Sequence, residues 1–281
     1  MRTTIQQVKE FKVKGEKFAM LTAYDYPTAQ IVDRAGVPVI LVGDSLGTVV
    51  LGYETTIPVT MDDMIHHTKA VVRGSERALV VGDMPFMTYH INIEETLRNA
   101  ARFIQEAGAQ AVKLEGGVTV ADKVQKLVDC GIPVMGHIGL TPQSVNQLSG
   151  HKIQGRSLEA ARKLLADAKA LEAAGAFAIV LETMPTELST YITSKISIPT
   201  IGIGAGVGCD GQVQVISDLL GLFTDFVPKH ARQYAKLAGL MSEGITAYAN
   251  DVKKGSFPTE QQSFTIDASI IHELRQENET A

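Results

Sequence analysis

Pro38-Val39-Ile40-Leu41-Val42-Gly43-Asp44 is a short β-branched run that ends on an acid, and Ala78-Leu79-Val80-Val81-Gly82-Asp83 repeats the pattern further along the chain. Short apolar runs of this kind alternate with longer amphipathic or alanine-rich segments, the signature of repeated βα units around a parallel sheet. Eight strands are expected: Phe18-Thr22, Val37-Val42, Leu79-Gly82, Ala111-Glu115, Ile132-Met135, Phe177-Leu181, Thr200-Ile203 and Gln212-Ile216. All but the fourth are uncharged.

Helix-like stretches lie between them, among them Ile93-Ala107, Thr119-Asp129 and Leu158-Ala174, the last two closing on Gly131 and Gly175. Eight alternations suit a closed barrel, and no G-x-G-x-x-G follows the first strand to favour a doubly wound open sheet. The expected fold is α/β, a single (β/α)8 TIM barrel over residues 1–281, with its core at about 17–225. Thr4-Lys14 reads as a helix across the bottom. From about Asp225 a helical extension runs through Lys253 and packs outside, and the polar tail Arg275-Ala281 is expected to be mobile.

The 281 residues are 45% hydrophobic and 20% charged, an ordinary globular balance. A net charge of -5 and a pI near 5.8 give no electrostatic reason to approach nucleic acid or an anionic membrane. No apolar run reaches the roughly 20 residues of a span, and Met1-Arg2-Thr3-Thr4-Ile5-Gln6-Gln7 lacks a signal-peptide core, so a cytoplasmic location is expected. Cys130 and Cys209 form no CxxC pair and indicate neither a disulfide framework nor a thiolate zinc site.

Asp44, Asp83, Glu115, His137 and Glu182 each follow or finish one of five successive strands. In α/β barrels that end faces the active site, so groups distant in sequence would converge on one pocket. One such acid is commonly a helix cap, but five in consecutive units are harder to dismiss. In both Val-Gly-Asp segments the glycine leaves room beside the acid for backbone or ligand.

Converging carboxylates repel unless a positive charge sits among them, and oxygen-only ligands favour a hard divalent ion such as Mg²⁺. Asp44 and Asp83 are therefore the expected metal ligands, with Glu115 a third ligand or a partner through water. His66 and His67 read as helix residues. Lys113 shares a strand face with Glu115 and reads as a contact for a substrate carboxylate or enolate oxygen, or as half of a structural ion pair. His137 could bond substrate or orient a neighbour. Glu182, across the pocket, is placed to take a proton from carbon next to a metal-bound carbonyl, unless it caps the helix near Pro185. Gly202-Ile203-Gly204-Ala205-Gly206 lacks the lysine and Ser/Thr of a Walker motif and reads as close backbone packing.

Six ordered blocks then carry a resemblance over nearly the whole chain: Leu21-Asp25, Val42-Gly47, Gly82-Phe86, Val112-Gly117, Gly136-Gln143 and Ile203-Gly206. The sequence resembles the ketopantoate hydroxymethyltransferase family. That resemblance implies Mg²⁺ on Asp44, Asp83 and Glu115, oxo-acid contacts from Ser45, Asp83 and Lys113, and Glu182 as proton acceptor. It implies hydroxymethyl transfer from 5,10-methylenetetrahydrofolate to 3-methyl-2-oxobutanoate through a magnesium-stabilised enolate, giving 2-dehydropantoate. Small-molecule substrates and a homo-oligomer, commonly a decamer, are further implications. The alternatives are a magnesium-dependent lyase or mutase of the phosphoenolpyruvate mutase and isocitrate lyase type, or a barrel that only binds a small acid.

Overall fold

The computed structural model describes residues 1–148, 150, 152–224 and 226–279. Eight parallel strands close a barrel in sequence order, the last pairing back with the first. They are β1 (Phe18–Thr22), β2 (Val39–Val42), β3 (Leu79–Asp83), β4 (Ala111–Glu115), β5 (Val134–Gly139), β6 (Ala178–Glu182), β7 (Thr200–Ile203) and β8 (Gly211–Gln214). Each falls on an expected run, with shifted ends. β3 and β6 continue through Asp83 and Glu182, and β5 runs past His137, because the ladder pairs Asp83 with Lys113 and Gly139 with Glu182. β8 stops at Gln214, where the chain turns into the short helix Ile216–Leu219 and the Ile216 N–H bonds to Thr22 Oγ1.

Both faces of the inner strands are buried, which is why they read as continuous apolar runs. Alternate residues such as Met20, Leu41, Val81, Ala111, Met135 and Val180 fill the barrel. The intervening row, including Ile40, Val80, Leu114 and Ile179, packs with helix residues such as Phe103, Leu127 and Leu171. Gly82 belongs to this outward row: an added Cβ would lie 2.3 Å from Phe103 Cδ1. It therefore lets the helix Ile93–Gln105 close on β3, and does not open space beside Asp83 as expected from sequence.

The helices Tyr26–Arg34, Met61–Gly74, Ile93–Gln105, Ala121–Asp129, Leu158–Ala173 and Thr186–Lys195 follow β1 to β6 in turn, whereas residues 204–210 join β7 to β8 without a helix. Ala121–Asp129 is preceded by a 3₁₀ turn at Val118–Val120, so it starts later than Thr119. The N-terminal helix Ile5–Lys14 opens on a capping box between Thr4 and Gln7 and closes on Gly15 at φ 68°. Its Val8 is fully buried with the residues that fill the barrel. Arg2 ties the chain start down by donating to the carbonyls of Val72, Ser75 and Ala78 at the end of Met61–Gly74.

A second compact unit begins at Ala235. It holds the helix Leu237–Lys254, ended by Gly255 at φ 71°, and the helix Ala268–Glu279. Residues 226–234, expected in this extension, belong with the barrel unit, and Tyr234 donates its N–H to Leu219 O. Position 225, the expected boundary, lies outside the described residues. Arg275 to Glu279, expected as mobile tail, continue the last helix, where Asn278 Nδ2 donates to Leu274 O. Positions 280 and 281 of that tail lie outside the described residues. Among the described residues no helix is long and apolar enough to cross a membrane.

Candidate active site

On the inward rows, apolar side chains give way to ionisable ones toward the C-terminal ends of the strands. β3 reads Leu79, Val81, Asp83; β4 reads Ala111, Lys113, Glu115; β5 reads Met135, His137; β6 reads Ala178, Val180, Glu182. Register makes them neighbours, because Asp83 pairs with Lys113 and Glu115 with His137. Asp44 arrives from the loop after β2, its N–H 3.3 Å from Asp83 Oδ2. Asp44, Asp83, Lys113, Glu115 and His137 are all buried. Glu182 is the most open of the group, with 15% of its side chain exposed. Ser45 sits beside Asp44 with its Oγ 2.8 Å from Tyr24 Oη. The structure thus brings every expected site residue to one rim.

Lys113 Nζ lies 2.9 Å from Asp83 Oδ1 with both side chains buried, so Lys113 is half of an ion pair. The approach is not that of a directed hydrogen bond, and Asp83 Oδ1 has no donor in line. Burial pushes the Asp83 carboxyl up to about 7, Lys113 holding it down and Asp44 adding to the rise. Asp44 is raised too, by burial first and then by Glu115. Burial would lower Lys113, but Asp83, Glu115 and Asp44 outweigh it and keep the ammonium charged.

His137 is pulled down by burial and Lys113, yet its contacts with Glu115 and Glu182 lift it to about 9, so it is protonated at neutral pH. Its Nδ1 lies 3.3 Å from Glu115 Oε1 and its Nε2 3.1 Å from Glu182 Oε2. The second contact is off the line of a hydrogen bond and acts as an ion pair. Lys113 Nζ, 3.3 Å from the same Nδ1, is then a second cation held close by the surrounding acids. Glu182 does not cap the following helix: Thr186–Lys195 has Pro185 at its N-cap and no side-chain cap bond.

Two residues outside the sequence expectation complete the site. Gln143, in the 3₁₀ turn Pro142–Ser144 after β5, donates Nε2 to Asp44 Oδ2 at 2.9 Å. Tyr89, in the loop after β3, donates to Gln143 Oε1 at 2.6 Å. A search for ionisable strand ends passes over a neutral amide and a phenol, and only the position of Gln143 in the block Gly136-Gln143 hinted at it. Elsewhere, His67 Nδ1 lies 2.6 Å from Tyr24 O on the helix Met61–Gly74, as a helix residue should. At Gly206 an added Cβ would lie 2.4 Å from the Thr186 side chain, in keeping with close packing in the glycine-rich loop.

Among the described residues no trio of His, Cys, Asp or Glu side chains is arranged to hold a metal ion by itself. Asp44 and Asp83 still fit a hard divalent cation. Their donors are oxygen, Asp83 Oδ1 is buried without a directed donor, and burial has raised both acids, a penalty that a cation reverses. Mg²⁺ characteristically takes one or two carboxylates and completes its shell with water and substrate oxygens, so a trio is not required.

A closed barrel with ionisable groups converging on the C-terminal rim has the layout of an α/β-barrel enzyme. Solved barrels share its course, among them phosphoenolpyruvate phosphomutase from Streptomyces platensis subsp. rosaceus, with a TM-score of 0.61 over 98% of this chain and 96% of that one. At 15% identity this likeness carries the fold alone. The profile of ketopantoate hydroxymethyltransferase matches residues 2–260, and the chain belongs to that family. It is 68% identical to the 3-methyl-2-oxobutanoate hydroxymethyltransferase of Dehalococcoides mccartyi over 98% of both chains. The enzyme of the same name from Chloroflexus aurantiacus is 59% identical over 96% of both.

Proposed function

We propose that this protein transfers a hydroxymethyl unit from 5,10-methylenetetrahydrofolate to 3-methyl-2-oxobutanoate, giving 2-dehydropantoate for pantothenate synthesis. The observation that carries the reading is the single rim cluster of Asp44, Asp83, Lys113, Glu115, His137 and Glu182 in a chain of this family.

Asp44 and Asp83 would hold Mg²⁺. Glu115 stands beside them, held by the Gln143 N–H and His137, and joins the ion directly or through water. When bound, the ion supplies positive charge that draws electrons toward the keto and carboxylate oxygens and acidifies the hydrogen on C3. Ser45 and Lys113 contact the oxo acid, and the ammonium faces the charge that builds on the keto oxygen. Glu182 accepts the C3 proton. His137, 3.1 Å away, pairs with that carboxylate and contributes to the oxo-acid site. C3 then bonds to the methylene carbon of the folate and water supplies the hydroxyl; both carbon–nitrogen bonds of the methylene bridge break, and the proton from Glu182 and one from water go to the two nitrogens as tetrahydrofolate leaves.

A cytoplasmic location and a homo-oligomer, decameric by family resemblance, belong to the same reading, as does a single barrel domain with its core at about 17–225 and an appended extension. Light scattering on the purified protein reads the assembly directly. The activity is tested by mixing enzyme, oxo acid and methylene-folate and following 2-dehydropantoate by mass spectrometry. Product should form with Mg²⁺, stop on chelation, and return better with Mg²⁺ than with Ca²⁺, whose longer bonds suit a looser cage. No product, or full turnover after exhaustive metal removal, overturns the reading.

A further inference from the structure

The hydrogen bonds around Gln143 run in one direction only. Tyr89 Oη accepts the Glu115 N–H at 3.1 Å, so its own hydrogen goes to Gln143 Oε1. Gln143 Nε2 donates twice, to Met84 O and to Asp44 Oδ2, each at 2.9 Å. A carbonyl oxygen only accepts, so Met84 dictates which end of the amide is nitrogen. The Gln143 N–H closes the set on Glu115 Oε2 at 3.1 Å. Tyr89 is 1% exposed and Gln143 3%, so these bonds form away from water, where a wrong orientation would strand polar atoms.

The two cations of the site are engaged elsewhere, Lys113 with Asp83 and His137 with Glu115 and Glu182. Asp44 therefore takes its directed side-chain bond from a neutral group. A neutral donor fixes the plane of a carboxylate without cancelling its charge. We infer that Gln143 is a positioning residue that aims Asp44 at the cation, and that Tyr89 acts on Asp44 through Gln143. The inference rests on the reading of Asp44 and Asp83 as metal ligands.

The test is calorimetric titration of Mg²⁺ alone into the metal-free full chain. Gln143→Met should weaken Mg²⁺ binding about 10- to 100-fold, the usual effect of removing a group that orients a ligand. Gln143→Glu keeps length and turn but turns an acceptor toward Asp44, and should weaken binding at least as much. It also keeps the test readable should the methionine variant not fold. Tyr89→Phe should cost less, and nothing further in the Gln143→Met background. In turnover, the variants should require more Mg²⁺ yet regain most of the parental kcat at saturation. A merely structural glutamine would lower the thermal midpoint and leave Mg²⁺ affinity alone. Parental Mg²⁺ affinity in a folded Gln143 variant overturns the inference and spares the metal reading. A fully additive Tyr89→Phe effect overturns the role of Tyr89. A parent chain that binds no Mg²⁺ overturns both readings together.

Discussion

Glu182→Gln replaces the proposed base with a group of the same shape that still hydrogen-bonds but cannot take a proton. Two magnitudes follow from its surroundings. Glu182 contributes one off-line ion pair, 3.1 Å from His137, with 15% of its side chain exposed, while His137 keeps Glu115 at 3.3 Å. Losing that pair should cost about 1–2 kcal/mol, roughly 2–8 °C in the thermal midpoint of a barrel this size. The fold and the Mg²⁺ site on Asp44 and Asp83 should survive. In deuterated water without folate, the parent should exchange the C3 hydrogen of 3-methyl-2-oxobutanoate, read by proton NMR. The variant should do so about 10²- to 10⁴-fold more slowly, the usual contribution of a positioned base. Exchange needs no one-carbon donor, so a folate defect cannot imitate the result. Parental exchange with lost turnover would refute the assignment.

The ion pair of Lys113 separates the two proposed ligands. In metal-free protein, Asp44→Ala should leave the thermal midpoint level or higher, since it removes an acid raised by burial, whereas Asp83→Ala strands a buried ammonium and should cost up to about 3–5 kcal/mol. Equal midpoints would contradict that division. Mg²⁺ must displace a proton from Asp83, whose carboxyl is pushed up to about 7, so affinity should fall about tenfold per pH unit below that value and level off above it. A flat calorimetric profile between weakly acidic and neutral pH would count against Asp83 as a ligand. Folded Asp83 and His137 both bind protons more tightly than unfolded chain does. The stability that Asp83 lends in its protonated form is therefore lost as pH climbs from the ordinary carboxylate range to about 7 and is gone above it, and that from His137 is lost as pH rises from the ordinary imidazole range through about 9. The metal-free midpoint should decline from weakly acidic pH to about 9; a rise below about 7 would count against the Asp83 assignment, and a rise between about 7 and 9 against that of His137.

The barrel was legible because strands buried on both faces leave unbroken apolar runs such as Val39-Ile40-Leu41-Val42, and eight of these alternate with helix patterns. The acids and lysine of the rim were legible because charge is costly inside a barrel, so each one marks a reason to be there. The strand ends at Asp83, His137 and Glu182 were misplaced because charge reads as a stop in sequence, while register carries the ladder through it. Gly82 misled for the opposite reason: which face a glycine serves depends on the helix outside, here on Phe103. Gln143 and Tyr89 stayed hidden because a neutral group becomes notable only when its partners are known, and Gln143 meets Asp44 from ninety-nine positions away.

Val8 and the helix that carries it give the barrel a floor, and the layers from Met20 to Val180 fill the space above it. The barrel unit is therefore a cup and not a tube, and Glu182 lies at its open end. On the proposed function the oxo acid, drawn to the buried Lys113, should take the deeper place. On the same reading the folate, bringing its carbon to C3 from outside, should take the shallower one and block the way out. Steady-state kinetics should accordingly be sequential and ordered, with the oxo acid on first, tetrahydrofolate released before the new acid, and excess folate trapping the enzyme by occupying the doorway early.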